Sequence, residues 1–366
     1  MNFETMANTS TIIRSTEDPT SKVAHTNALR GFSMILSCLD EKDALGNNSR
    51  LITLPDYTYT RNNNRWNAGF SNGYILHLDS QVPFIPVGFR PNCCGIIISK
   101  IGEFNYKKHE FEKFYRKAIK NIADVNTEDL SRMNHFLAIY KEPNTGVHYA
   151  LLHCSFNFVK KGYGELSGLS IDECKSWAGK LQTHHYNDDE LKYLIGDDAL
   201  EYYDNYTKLE KLSRDKREII MSTLFPNSKT KFSEVHQGFF NINTILLGAY
   251  ASNEPFKCPI MLKEDKPLPY VSVEKPIKIG DISFYCAPHG CGYKIKKQNK
   301  EGRKISTHSG LIYIEDKIGN EIVTSAKDPF NVNFEYRDNA HILWCDEFKM
   351  GKIENEYIEV ANLKIH

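Results

Sequence analysis

Two runs rich in β-forming residues, Ser131-Arg-Met-Asn-His-Phe-Leu-Ala-Ile-Tyr140 and Tyr149-Ala-Leu-Leu-His-Cys154, flank the turn sequence Glu142-Pro-Asn-Thr-Gly146. Such a pattern predicts a hairpin, and a hairpin commits its surroundings to an antiparallel sheet. His135 stands near the start of one predicted strand and His153 at the end of the next. In an antiparallel pair those ends are neighbours, so two imidazoles can converge on one ion. Two readings follow: a pair of core histidines satisfied by their surroundings, or two ligands of one metal.

The rest of the chain mixes elements without a regular strand–helix–strand rhythm, which predicts an α+β fold. Apolar spacing predicts helices over 27–38 and 107–122, and a long helical region over 188–225 that Gly196-Asp-Asp198 interrupts or recaps. Short strands are expected at 51–54, ending at Pro55-Asp56, at 74–78 and at 95–99. Beyond Phe239 the chain reads as short strands and turns. Residues 1–24 lack the apolar core of a signal peptide and are expected to be a polar, frayed leader, with one domain over 25–366.

Charge and cysteine content narrow the function classes. Lys plus Arg number 46 and Asp plus Glu 46, so no global basic field announces nucleic acid, and any polyanion would need a local patch. No apolar run reaches membrane-spanning length. Nine cysteines without a secretory signal or a paired CxxC spacing point to a reducing compartment, the cytoplasm.

Further soft and nitrogen ligands join the hairpin histidines. Cys94 lies in the turn Pro91-Asn-Cys-Cys-Gly95 just ahead of an apolar strand. His236 ends a short apolar run. His289, in Ala287-Pro-His-Gly-Cys-Gly292, follows a proline and precedes a glycine-flanked loop able to bring N–H groups close to a phosphate. A thiolate with three imidazoles suits Zn²⁺ or Mn²⁺ better than Mg²⁺ or Ca²⁺. His184 and His185 are read as part of a solvated loop.

At these residues the chain resembles the RtcB-type RNA ligases, in an ordered series of motifs over nearly its whole length. Leu54-Pro-Asp56 resembles the family's Met-Pro-Asp, and Val87-Gly88 through Cys94-Gly95 its cysteine-bearing turn. Asn134-His-Phe136, Leu151-Leu-His153 and His236 resemble its histidine motifs. Gly196-Asp-Asp-Ala-Leu200 resembles its downstream helix. Ala287-Pro-His-Gly-Cys-Gly292 resembles the segment around its guanylylated histidine, Tyr336-Arg-Asp338 its Tyr-Lys-Asp, and Glu359-Val-Ala-Asn-Leu-Lys364 its C-terminal tail.

The resemblance implies a single domain with mixed and antiparallel sheets around a central metal site, with peripheral helices. It implies an enzyme joining RNA 3′-phosphate or 2′,3′-cyclic phosphate ends to 5′-hydroxyl ends, in tRNA splicing or RNA repair, using GTP and Mn²⁺, with Zn²⁺ a possible substitute. Broken RNA such as tRNA halves would be the partner, with an archease-type activator. Cys94, His135, His153 and His236 would hold metal, and His289 would be the nucleophile. Asn134, Gln237, Gly290, Cys291, Gly292, Tyr336 and Lys364 would surround the nucleotide. Asp56, Lys160, Lys161, Lys294, Lys296 and Lys297 are candidate phosphate or RNA contacts. The alternatives are a metal-dependent RNA-end phosphoesterase and a non-catalytic RNA-binding relative.

The chain also departs from the family pattern. Pro91 stands where an aspartate would complete an Asp-x-x-Cys ligand pair, Thr58 replaces a histidine, and Tyr293 replaces the arginine of the nucleophile loop.

Overall fold

A computed structural model describes residues 2–120, 122, 125, 129, 135–295, 304–308, 311–318, 321–327 and 334–363. Its centre is a seven-stranded sheet, antiparallel at every pairing. In spatial order the strands are Lys229–Val235, Gly95–Ile101, His148–Cys154, Phe136–Lys141, Gly351–Leu363, Leu268–Val273 and Phe256–Pro259. The predicted hairpin is present, with Phe136 opposite His153 and Lys141 opposite His148.

The sheet buries both faces. Ile96, Ile98, Ala138 and Leu151 enter one core. Ile97, Leu137, Ile139 and Leu152 enter another, with Phe111 and Tyr115 of the helix Lys108–Ile119 and Leu209 and Ile220 of the helix Asp197–Leu224. That double burial explains why the central strands are continuous apolar runs and not alternating ones.

The sheet curls until its edges almost meet. Lys231, on the first strand, places its ammonium 4.0 Å from the ring centroid of Tyr270 on the sixth, with Tyr149 and Tyr357 at 5.0 and 5.1 Å. A cation in a box of three aromatic faces spans the seam that backbone pairing leaves open. Lys231→Met is therefore expected to lower stability by about 1–2 kcal/mol, read from the midpoint of urea unfolding.

A second sheet, in the order Thr11–Ile12, Arg50–Thr58, Asn72–His77, Thr244–Leu247 and Gln237–Asn241, packs beside the first. Smaller sheets include Ala249–Ser252 with Ile282–Pro288 and Ile277–Ile279. The architecture is α+β, as the sequence predicts. Among the described residues no helix is long and apolar enough to cross a membrane.

Three sequence expectations are corrected. The leader is folded: Asn2 caps the helix Phe3–Thr9, Phe3 and Ala7 are buried, and Thr11–Ile12 pairs with Leu51 and Ile52. Its few apolar residues are masked by polar neighbours but fall on one face. The long helix Pro19–Glu41 begins at Asp18, whose carboxylate accepts from the Ser21 N–H at 2.8 Å, with proline in the first turn. The helical region at 188–225 is instead the strand Asp189–Ile195 followed by the helix Asp197–Leu224, because Gly196 at φ +62° reverses the chain between them. The strand expected to end at Pro55-Asp56 runs through to Thr58, bulging where it passes Asn72–His77.

Candidate metal centre and its neighbouring histidine

Four adjacent strands of the large sheet deliver the predicted ligands to one rim. His236 follows the end of Lys229–Val235, and Cys94 precedes the start of Gly95–Ile101. His153 is near the end of His148–Cys154, and His135 precedes the start of Phe136–Lys141. Because neighbours run antiparallel, an end, a start, an end and a start share one edge.

The side chains converge there. Cys94 Sγ lies 3.2 Å from His153 Nε2, and His153 Nε2 lies 3.2 Å from His236 Nε2. The three donor atoms of Cys94, His153 and His236 all fall within 4.8 Å of one another, and all three residues are buried. A tetrahedral ion with ordinary bond lengths would hold two imidazole nitrogens about 3.3 Å apart and a thiolate and an imidazole about 3.5 Å apart. The spacing and the soft, nitrogen-rich donor set therefore fit one borderline-soft divalent ion.

His135 stands at the margin of this trio. Its Nε2 is 3.7 Å from Cys94 Sγ and 3.3 Å from Ser155 Oγ. Its Nδ1 is 2.6 Å from the Asp129 carbonyl, which can only accept, so Nδ1 carries the proton and Nε2 presents a lone pair toward Cys94. Burial, with His289 and His153 alongside, holds His236 well below the ordinary histidine range, so it stays neutral and able to bind an ion. Burial also pushes the Cys94 thiol up to about 12, with the Arg217 and Arg65 guanidinium groups pulling the other way. An ion bound at Cys94 would displace that proton.

His289 abuts the trio, its ring centroid 4.5 Å from that of His236. Nδ1 lies 2.7 Å from Asp56 Oδ2 and 2.8 Å from the Gly248 carbonyl. Both neighbours accept, so Nδ1 carries the proton and the Nε2 lone pair points away from them. Nε2 has no hydrogen-bond partner among the described residues, and the side chain is 21% exposed while that of Asp56 is 0%. Two glycines make room for this arrangement. A Cβ on Gly248, at φ +82°, would stand 2.9 Å from the His289 ring. One on Gly292, at φ +62°, would stand 2.4 Å from the Asp56 carbonyl. Among the partly exposed groups here, His289 is the one with a fixed tautomer and a free nucleophilic nitrogen.

Several expected contacts take other roles. Asp56, expected as a phosphate or RNA contact, is buried with its carboxylate turned to His289. Gln237 is buried, and with its amide oxygen turned to Arg65 it accepts from both Nη atoms at 2.9 Å. The loop Gly290 to Gly292 packs into the protein: Gly290 bridges Met261, Cys291 is buried, and the Gly292 carbonyl accepts from the Arg337 N–H at 3.1 Å. Tyr336 is exposed on Phe334–Tyr336, directly opposite Tyr293. Lys294 is exposed and ion-paired with Glu335 at 3.3 Å. Lys160, half-buried on the short helix Asn157–Lys161, is close enough to draw down the Cys94 thiol, whereas Lys161 is exposed. Asn134, Lys296, Lys297 and Lys364 lie outside the described residues.

His184 corrects the solvated-loop reading. It sits in the strand Gln182–Tyr186, buried, with Nδ1 2.8 Å from a Glu41 oxygen and Nε2 3.1 Å from Ser37 Oγ. It is a structural histidine holding that strand to the long N-terminal helix, while His185 faces outward.

Sequence reasoning missed Arg65, Arg217, Ser155 and Gly248. A signal existed for Arg217: it falls on the stripe Leu209, Ser213, Ile220 and Leu224, where a core-facing helix puts apolar residues. No protein-family model matches the chain, and no curated protein matches it.

Proposed function

We propose that this chain is a GTP-dependent RNA ligase of the RtcB type, joining 3′-phosphate or 2′,3′-cyclic phosphate ends to 5′-hydroxyl ends. The observation that carries the reading is the His289 imidazole, its Nδ1–H anchored on Asp56 and Gly248 and its Nε2 free, beside the Cys94, His153 and His236 donors. A partly exposed histidine with a fixed tautomer next to a metal-ligand cluster is the equipment of a phosphoryl-transfer nucleophile. The ordered motifs of the sequence favour the same reading.

In this proposal His289 Nε2 attacks the α-phosphorus of GTP. An N–P bond forms as the bond to the leaving pyrophosphate breaks. The Asp56 carboxylate holds the ring in its reactive tautomer and stabilises the positive charge that develops on it, as a carboxylate does for a catalytic histidine elsewhere. An RNA 3′-phosphate then takes GMP from His289, and a 5′-hydroxyl displaces GMP to form the phosphodiester. Cys94, His153 and His236, with His135 at the margin, would hold Mn²⁺, and Zn²⁺ is compatible with the same donors. The ion would neutralise charge on the reacting phosphate.

The test is direct. The protein incubated with Mn²⁺ and α-labelled GTP is expected to acquire acid-labile, alkali-stable label. Absence of label with every divalent metal tried would overturn the ligase reading. A phosphoesterase would then still change the ends of a broken RNA, and a binding relative would not.

A further inference from the structure

Two arginines are buried against the rim without carboxylate partners. Arg217 is 0% and Arg65 6% exposed, and among the described residues neither forms an ion pair. Burying a cation is costly, and burying one without a carboxylate partner is unusual. What they bond to is specific. Arg217 Nη1 donates to the carbonyl of Cys93 at 3.1 Å and to that of Cys154 at 3.4 Å. Those are the residue before one ligand and the residue after another. Arg65 donates from Nε to the Phe89 carbonyl at 2.7 Å and from Nη2 to the Arg90 carbonyl at 2.8 Å. Its two Nη atoms also reach the Gln237 amide oxygen at 2.9 Å. It thereby joins the turn leading into Cys94 to the residue after His236.

We infer that Arg217 and Arg65 are positioning residues of the metal centre, which set the spacing of its donor atoms by tying the ligand-bearing segments together in pairs. The need for them follows from where the ligands sit. Cys94, His135 and His236 lie just beyond the ends of the named strands, where backbone bonds from the His236 N–H to the Cys94 carbonyl at 2.9 Å and from the Cys93 N–H to the Gln237 carbonyl at 3.1 Å still join two of these segments. The arginines add side-chain bonds to that backbone frame: Arg217 Nη1 joins the Cys93 and Cys154 carbonyls, and Arg65 fans out to Phe89, Arg90 and Gln237. Gly95 lets Arg217 approach this closely, because a Cβ there would stand 2.9 Å from Nη2. Among the described residues Arg217 Nε and Nη2 find no partner of their own, so the group is placed for the carbonyls it clamps and not for its own satisfaction.

This inference rests on reading Cys94, His153 and His236 as a metal centre, and the test separates the two. The full chain is titrated with Co²⁺, following the thiolate-to-cobalt charge-transfer band and measuring affinity by chelator competition. Wild type, Arg217→Lys and Gln237→Leu are compared, each first shown to be folded by circular dichroism and thermal melting. Lysine keeps the charge, but its stem is shorter than the arginine's path to Nη1 and leaves the ammonium short of the two carbonyls, and leucine keeps the volume of Gln237 without its acceptor. Both variants are expected to bind Co²⁺ about 10- to 100-fold more weakly, with a weakened or shifted charge-transfer band. Wild-type affinity and spectrum in the folded variants would overturn the positioning role alone. No Co²⁺ binding by wild type would overturn the metal centre itself. Should Arg217→Lys fail to fold, Gln237→Leu decides: unchanged binding overturns the inference, and weakened binding supports it.

Discussion

Replacing His289 with alanine is expected to bring covalent transfer of GMP to the protein down to background, a loss of about 10³-fold or more, because the proposed step has no other nucleophile. The structure makes this a test of chemistry more than of folding. His289 is partly exposed, and among the described residues its side-chain bonds reach only Asp56 and the Gly248 carbonyl. Circular dichroism should therefore be little changed while labelling vanishes. Asp56→Asn supplies a graded control. An amide can donate where the carboxylate only accepts, so it favours the wrong tautomer at Nδ1 and takes the lone pair from Nε2. Labelling about 10²-fold slower or worse is expected, with the protein still bound to metal. Persistent label in His289→Ala would place the nucleophile elsewhere.

The second large effect is expected at Cys94. Its sulfur stands 3.2 Å from His153 Nε2 and 3.7 Å from His135 Nε2, so it is the donor shared by the trio and the marginal histidine. Cys94→Ala should lower affinity for Mn²⁺ or Zn²⁺ by at least about 10²-fold, read as metal per protein by elemental analysis after dialysis. Wild-type occupancy in the variant would make the cysteine a core residue. The pH dependence follows from the thiol. Burial pushes it up to about 12 in the ion-free protein, so binding must release its proton at every physiological pH. Apparent affinity should then rise about tenfold per pH unit between pH 6 and 8 in wild type, and the slope should flatten in Cys94→Ala.

The missing carboxylate beside Cys94 acquires a structural meaning. Pro91 occupies its place in the sequence, and the Asn92 side chain turns inward to accept from the Cys94 N–H at 3.0 Å. The charged groups that act most on the thiol are then cationic, Arg217 and Arg65 first among them. On the proposed reading that balance favours one tightly held ion, since a second dication would meet these charges without a carboxylate to offset them.

Much of the site was legible in order along the chain. The hairpin register that sets Phe136 opposite His153 follows from the turn at 142–146 and the two apolar runs beside it. Cys94, His153 and His236 were identifiable by residue type and by their places at strand ends. The N-terminal helix and the strand Asp189–Ile195 were not, because sparse or ambiguous apolar residues leave the period undecided until a neighbouring surface selects it. His184 looked solvated for the same reason: only the packed helix Pro19–Glu41 brings Ser37 and Glu41 to its ring.

By itself, the sequence determined the donor chemistry and the antiparallel hairpin, since these depend on residue identity and on contacts close along the chain. Tertiary structure alone decided that Asp56 serves His289, that Gln237 serves Arg65, and that Arg217 clamps two ligand strands. Those pairs are separated by 233, 172 and 63 or more positions in sequence, taking each from its residue numbers. Bonds over such distances exist only once the separate elements have packed together, so no local pattern of residues encodes them.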